Sequence, residues 1–477
     1  MSGSPKRRRA GSHSRAVSQQ RRGKIVVMTA FLMVMFMAMI AFGVDVGYIA
    51  VARTEIQICT DAAALAGASG LVDGTSVAQT RAQEYLGKNK VAGQTLSNSN
   101  ATIEFGTWTD TTKTFTVGGN TPNGIRINTS LNSVPLFFGK ALNKNSFNVS
   151  AQSIAVYQPR DIMLVLDYSG SMSYDSQFRN ISLIGKPAIE ANLAQMYQEL
   201  GTTFGTLPAT SVSYGTGSTS NSTVKSKFKL NTIPYPYPSG SWDEYIDYVQ
   251  TDSTINSAGY RARYGGITFM HYLMAKRDQY AETPVLWKTS EQPLTALKDA
   301  VDEFLAYLDN NSTDDRVGFS LYTSSNSTAL LEQSLTKTYT DVSSKVRGRQ
   351  AGHYVGGTNI SAGMTSGRLE LQNNARVGVS KLLILMTDGE ANLPTGNTTT
   401  DKQKVRDEAA LCAAAKIPVV TITVGAGADV DLMAEVASIT GGAAFVVPGG
   451  QSIEDVQEQL EQVFAQVAAD RPLKLVQ

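Results

Sequence analysis

The sequence predicts an α/β protein in two parts. An N-terminal transmembrane helix leads into a helix-plus-small-sheet region. A doubly wound sheet follows, with a large insertion after its first strand. Three observations carry this reading. Residues 25–44, IVVMTAFLMVMFMAMIAFGV, run for twenty residues without a charge. Residues 101–157 hold short β-rich runs separated by turn residues. From residue 161 onward, continuous apolar runs alternate with stretches of helical period.

The chain has 477 residues, 42% hydrophobic and 17% charged, enough apolar material for a large core and too much for global disorder. Its net charge of +1 hides an asymmetry. Residues 1–24 hold eight Lys or Arg (Lys6, Arg7, Arg8, Arg9, Arg15, Arg21, Arg22, Lys24) and no acid. Taking those eight from +1 leaves −7 for residues 25–477. A mildly acidic body argues against nucleic acid as the main partner. The two cysteines, Cys59 and Cys412, form no disulfide framework and no CxxC pair. They read as unpaired small residues on helices, with a bridge or an intermolecular link as the alternative.

At about 1.5 Å per residue, residues 25–44 span roughly 30 Å, the thickness of a bilayer core. The run is longer than the apolar part of a secretory signal. It is followed by Asp45, Arg53 and Glu55 in what reads as a continuing helix, so an uncleaved single-pass anchor is expected. Positive charge before the span makes residues 1–24 a basic cytoplasmic tail and places the C-terminal domains outside the cytoplasm. PKRRR (5–9), which could otherwise be a nucleic-acid patch, then has a topogenic role. DVGYIAVARTEIQICTDAAALAGASG (45–70) has no Pro and many alanines, so one helix from 25 to about 68 is expected, with Gly67, Gly70 and Gly74 marking its end. Residues 76–88 suggest a second, short helix.

In the small sheet, residues 101–108, 113–119 and 124–130 read as strands. VPLFFGKAL (134–142) reads as a short helical or looped apolar plug, and residues 145–157 as a long strand. Phe147, Val149 and Ala151 share one face of that strand. The apolar positions then shift to Ile154 and Val156, which suggests a bulge. Taken together, RRGKIVVMTAF, GVDVGYIAVARTEIQICTDAAALAGA, VPLFFGKAL and NVSAQSIAVY resemble the TadE/TadG-like proteins of the tight-adherence (Flp) pilus assembly system, over residues 21–157. The resemblance implies a pilin-like long helix on a small sheet over residues 45–158, a bacterial inner-membrane location and pilus-assembly components as partners. Substrates of the prepilin peptidase carry Glu at the fifth position after the processing Gly. Counted from Gly23, that position is Met28, so the uncleaved TadG-like type is expected.

The second part, residues 160–470, opens with DIMLVLDYSGSMSYDS. IMLVL (162–166) is a strand buried on both faces, as in a parallel sheet. Alternate residues of an extended segment point the same way, so Asp167, Ser169 and Ser171 can converge beyond the strand end, with Gly170 permitting the turn. A second buried run, KLLILMTDGE (381–390), ends in Asp388. GGTNI (356–360) puts Thr358 before a helix-like stretch. Two carboxylates and three hydroxyls form a hard, oxygen-only set suited to Mg²⁺ or Mn²⁺, and the lack of His and Cys argues against zinc. Sites in such sheets sit at the carboxyl ends of strands. The pattern DxSxS, then Thr, then Asp resembles the metal-ion-dependent adhesion site of von Willebrand factor A (VWA) domains, a Rossmann-like fold. By that resemblance Asp167, Ser169, Ser171, Thr358 and Asp388 are the metal residues, and a partner protein offers a carboxylate to the metal.

Further elements follow in βα alternation: helix 293–308 with Leu297, Val301, Phe304 and Leu308 on one face, strand 316–324, helix 401–417, strand 418–425, helix 430–440, strand 443–447 and helix 452–468 capped by Ser452. An insertion, residues 175–289, holds a Ser/Thr/Gly-rich loop (209–226), ten of the nineteen tyrosines, Trp242 and Trp287. It reads as an accessory subdomain with an aromatic core, or more sharply as a lid or platform beside the metal. The sequence has no G-x-S-x-G, Walker A loop or HExxH, and its three histidines are His13, His271 and His353. His353 falls near Thr358 and reads as a solvated loop residue, with an approach to the site as the alternative. A binding protein of the envelope is therefore expected rather than an enzyme. The alternative is an envelope hydrolase or protease-associated factor whose insertion supplies the chemistry.

Overall fold

A computed structural model describes residues 19–476 except 110–111, 120–121, 202–206, 208–211, 215–218, 277–284, 312–313, 324–328, 355–356 and 450. Most of the expected basic tail, residues 1–18, and parts of the 209–226 loop lie outside the described residues. The chain divides into two compact units, one of residues up to Tyr157 together with Leu473–Gln477, the other Gln158–Pro472.

The first unit is built on α1 (Gln19–Ser69), a helix of 51 residues. Its 25–44 stretch is almost wholly bare. Further along, Ala52, Ile56, Cys59, Ala63, Ala64 and Ala68 are fully buried. That spacing is one helical stripe, and its alanines let the helix lie close on a sheet. The second helix, α2 (Thr75–Lys88), buries Ala78, Ala82 and Leu86. The strands are β1 (Ala101–Thr109), β2 (Thr114–Val117), β3 (Gly124–Pro135) and β4 (Ser146–Tyr157), joined by the C-terminal strand Leu473–Leu475. The order is C-terminal strand, β4, β3, β1, β2, all antiparallel. Gly67 does not end α1. A Cβ there would stand 2.5 Å from Ile125 Cδ1, so this glycine is a close approach of helix to sheet.

Two expectations for this unit are corrected. β4 pairs with β3 without a break from Val149 to Val156, so the expected bulge is absent there. The register shift lies on β3 between Leu131 and Val134 instead. The apolar switch in β4 has another cause, burial on both faces. Val149 and Ala155 face the α1 core, while Ile154 and Val156 pack with Trp108 on the other side. Residues 134–142 are also not a plug. Val134 and Pro135 end β3, a 3-10 turn covers Gly139–Leu142, and Phe137 and Phe138 are 63% and 50% exposed.

The second unit opens with β5 (Arg160–Asp167), every residue of which is buried. The insertion supplies α3 (Lys186–Glu199), α4 (Trp242–Thr251) and α5 (Gly266–Lys276). Its aromatic residues make a core of their own, with Phe178, Trp242, Tyr245, Tyr260, Tyr264, Phe269 and Tyr272 at its centre. The chain then runs α6 (Leu294–Asn310), β6 (Arg316–Tyr322), β7 (Leu330–Thr336), α7 (Tyr339–Arg347), α8 (Ile360–Asn374), β8 (Ser380–Thr387), α9 (Thr398–Ala414), β9 (Val419–Val424), α10 (Val430–Thr440), β10 (Ala444–Val447) and α11 (Ile453–Ala469).

The sheet order is β7-β6-β5-β8-β9-β10. It is parallel except for the edge strand β7. Helices cover both faces. α6, with Leu297, Val301, Phe304 and Leu308 buried, shares one core with α7 and α11. α8, α9 and α10 make the other. This is a doubly wound sheet, and it sets the ends of β5 and β8 side by side.

Candidate metal centre

Asp167 is the last residue of β5, and Asp388 follows the last residue of β8. Adjacent parallel strands therefore bring both carboxylates to one edge. The chain does not stay extended beyond Ser169. It turns into a 3-10 helix, Gly170–Ser176, with Ser169 at its N-cap. That turn drops Tyr168 and Met172 into the core, where the Tyr168 hydroxyl donates to Val346 O at 2.7 Å. Ser169 and Ser171 are left facing each other, Oγ to Oγ 2.9 Å.

Hydrogen bonds link Asp388, Ser171, Ser169, Asp167 and Thr387 in series. Ser171 Oγ donates to Asp388 Oδ1 at 2.7 Å. Ser169 N donates to Asp167 Oδ1 at 2.8 Å. Thr387 Oγ1 donates to Asp167 Oδ2 at 2.9 Å. Thr358 is held just before α8, its N donating to Asn392 Oδ1 at 2.9 Å and its carbonyl accepting from Asn392 N at 3.2 Å. A Cβ built on Gly389 lies 3.6 Å from Thr358 Oγ1 and 3.7 Å from Ser171 Oγ. The structure thus gathers all five sequence-predicted residues at one edge of the sheet.

Asp167, Ser169, Thr358 and Asp388 are all buried. Burial pushes the Asp167 carboxyl up to about 6 against the pull of its Ser169 and Thr387 bonds. Burial, with the neighbouring Asp167 charge, holds Asp388 well above the ordinary carboxylate range. Hydroxyls and amides do not balance two buried carboxylates, whereas a divalent cation would. The donor set, oxygen throughout, fits such an ion. Among the described residues there is no group of three His, Cys, Asp or Glu placed to hold a metal ion.

Sequence reasoning missed three supporting residues. Thr387 was visible as the Thr of TDGE, but only the structure shows it bonded to Asp167. Asn392, which cradles Thr358, carried no signal. Asp175 lies beyond DxSxS, its carboxyl raised by burial and accepting from Asn180 Nδ2 at 2.6 Å. It lines a cleft of about 160 Å³ together with Ser171, Asp388, Leu183, Ile184 and Gly427. The start of the insertion therefore forms one wall of the cleft at the site. The insertion returns where it left, since Gln292 N donates to Ser176 Oγ at 2.5 Å.

His353 is a correction: it is half-buried against Tyr354, ring centroids 4.3 Å apart, and burial lowers its pKa to about 4. His271 is stacked on Phe178 inside the insertion. Both cysteines are free and buried.

Fold and site together define a Rossmann-like domain of VWA type behind a long apolar helix and a pilin-like sheet. Family models agree. The von Willebrand factor type A domain model matches residues 287–459, the Flp pilus-assembly TadE/G-like model residues 23–70, and the Tad-like Flp pilus-assembly model residues 62–155. This chain combines Tad-type pilus-assembly regions with a VWA domain, and that combination supports a role in Flp/Tad pilus assembly or adhesion. Asp167, Ser169 and Ser171 precede the VWA match, because the insertion separates the first strand from the rest.

A search of curated proteins finds no match. Solved structures with similarity include the PilB minor pilin from Streptococcus sanguinis (12% identity, 79% of this chain and 89% of that one, TM-score 0.33). Others are a von Willebrand factor type A protein from Catenulispora acidiphila (9%, 77% and 50%, 0.28) and an aerotolerance-related membrane protein from Bacteroides fragilis (16%, 36% and 90%, 0.27). Among the described residues one helix, Ile25–Ser69, is long and apolar enough to cross a membrane. With the TadE/G-like match, it marks a single-pass membrane protein.

Proposed function

We propose that this chain is an envelope protein of the bacterial inner membrane, N-terminus cytoplasmic and folded units outside. In this reading it uses a metal-ion-dependent adhesion site to bind a protein partner during Flp/Tad-type pilus assembly or surface adhesion. The observation that carries it is the pair of buried carboxylates, Asp167 and Asp388, met by neutral donors, with Asp388 lining a cleft. Asp167, Ser169, Ser171, Thr358 and Asp388 would hold Mg²⁺ or Mn²⁺, with Thr387 orienting Asp167. Once bound, the ion offers a Lewis-acidic position that a partner's carboxylate neutralises, which gives directional recognition. The protein residues around it position and desolvate that contact. We read the site as binding rather than catalysis, since His271 and His353 are packed on aromatic rings.

Mn²⁺ titration followed by electron paramagnetic resonance, on the full chain in nanodiscs, tests the site. One bound Mn²⁺ displaced by Mg²⁺ is expected, and loss of that signal in Asp167→Ala. Equal binding by wild type and variant would overturn the assignment. For the partner, co-purification of pilus-assembly components is expected in Mg²⁺ and not in EDTA. A C-terminal alkaline phosphatase fusion should be active. Activity from a reporter that works only in the cytoplasm would reverse the topology.

A further inference from the structure

Phe137 and Phe138 are exposed on a loop that is closely tied by its own backbone. Leu136 N donates to Asn145 O at 3.1 Å, Ala141 N to Phe138 O at 3.0 Å and Lys144 N to Gly139 O at 3.0 Å. A Cβ on Gly139 would stand 2.5 Å from Leu136 Cδ1 and 2.6 Å from Lys144 O, so the loop closes tightly on its glycine. The two phenylalanines are thus displayed by design of the backbone, not left loose.

The loop is tied to α1 at one level. Asp45, the first charge after the apolar run, is 7% exposed. Its carboxylate accepts from Phe137 N at 2.9 Å and from Phe138 N at 3.2 and 3.1 Å. The Phe137 ring also packs on Tyr48 of α1, centroids 4.9 Å apart. The exposed apolar faces of both phenylalanines therefore sit at the height where the bare, membrane-crossing stretch ends, near the exposed Phe42, Val44 and Val46. Lys140 and Lys144 on the same loop are exposed.

We propose that this loop is a second membrane contact. Phe137 and Phe138 enter the interfacial layer of the bilayer that α1 crosses, and Lys140 and Lys144 meet lipid phosphates. Aromatic rings favour this layer, and basic side chains reach its headgroups. Continuity with the spanning helix selects lipid as the occupant: Asp45 fixes the loop where the bilayer surface must lie. A lone helix can rotate about its axis, and a second contact on one side stops that rotation.

The test uses the full chain in nanodiscs of phosphatidylethanolamine and phosphatidylglycerol. An environment-sensitive fluorophore is placed on a cysteine replacing Phe137 or, as a control, Val117. Val117 pairs with Gly106, and Gly106 with Gly124 at the far end of β3 from the loop, about 35 Å along the strand. Both native cysteines are buried, so the label goes to the introduced thiol. At 137, emission should be blue-shifted and quenched several-fold more by lipid-borne spin labels than at 117, where aqueous iodide should quench instead. Equal iodide quenching at both positions would overturn the proposal. So would a label at 137 shielded from iodide yet insensitive to lipid spin labels, which would assign the loop to a protein. A label at 138 with Phe137 intact repeats the measurement without removing that ring. Asp45→Ala should then lower lipid quenching at 138 several-fold, with the chain still retained in the membrane. Unchanged quenching there would contradict the role given to Asp45.

Discussion

Strand β5 carries a buried acid near its start, Asp161, and another at its end, Asp167, and the two are treated in opposite ways. At the amino end Asp161 accepts from Arg316 at 2.6 Å and from Arg376 at 2.8 Å. Beside it, Asp315 meets Arg160 at 3.0 Å and Arg471 at 2.6 Å. At the carboxyl end Asp167 and Asp388 meet hydroxyls and amides. Burial alone would push Asp161 up, but its arginine bonds outweigh this and hold it below its ordinary value. At Asp167 and Asp388 burial wins. One end carries its own cations and is finished by the chain. At the other, the hydrogen bonds among the described residues come from neutral donors, and under the proposed function a divalent cation would complete it.

The largest effect is expected at the finished end. Asp315→Ala leaves Arg160 and Arg471 buried without their shared carboxylate, which should cost about 3–5 kcal/mol. Denaturant unfolding of the purified chain measures this. A loss under 1 kcal/mol would mean that the two ends do not differ as argued.

Next comes a pair of substitutions on one strand. Asp161→Asn should destabilise by about 2 kcal/mol or more, because it weakens bonds from two arginines. Asp167→Asn, measured without divalent metal, should be neutral or stabilising by about 1–3 kcal/mol, since it removes a raised carboxyl. Destabilisation of similar size by both would erase the distinction.

Acidity should act in opposite directions at the two ends. Asp161 is depressed in the folded state, so its stabilisation is present above about pH 4, the unfolded value, and is lost as pH falls below it. Asp167 is raised to about 6. Its folded form holds a proton that the unfolded chain has released, so metal-free stability declines as pH rises from about 4 through 6. Mg²⁺ should relieve that decline above pH 6 and do little at pH 5, where protons compete. Melts from pH 3 to 8 with and without Mg²⁺ would show it, and a Mg²⁺ effect independent of pH would count against it.

The smallest effect belongs to Thr358→Ala. It removes a neutral hydroxyl, so Mg²⁺ affinity by calorimetry should fall less than tenfold, equivalent to under about 1.4 kcal/mol. A larger fall would make Thr358 a ligand of equal weight to the acids.

One side of this contrast, the carboxyl end of β5, was legible in the sequence. IMLVL and KLLILM announce buried parallel strands because a strand covered on both faces has no polar alternation to show. DxSxS, Thr358 and Asp388 gave all five residues that the fold gathers. What was hidden depends on tertiary pairing. Nothing in the spacing ties Thr387 to Asp167, or Arg316 and Arg376 to Asp161, because these partners come from strands and loops far apart in the chain. Extension was expected through Ser171, yet the core claims Tyr168 and Met172 and bends the chain into a 3-10 turn. The apolar shift in β4 suggested a bulge because one sequence cannot show that the second sheet face is also covered, by Trp108.

The most direct test of the central claim is the melting temperature of the full chain at pH 7 with and without Mg²⁺, for wild type and Asp167→Ala. A ligand of the folded state at a hundredfold excess over its Kd adds about 2.7 kcal/mol. In wild type a Mg²⁺-dependent rise is expected that EDTA reverses and that Asp167→Ala abolishes. A wild-type melt indifferent to Mg²⁺ and Mn²⁺, or a rise retained in Asp167→Ala, would contradict it.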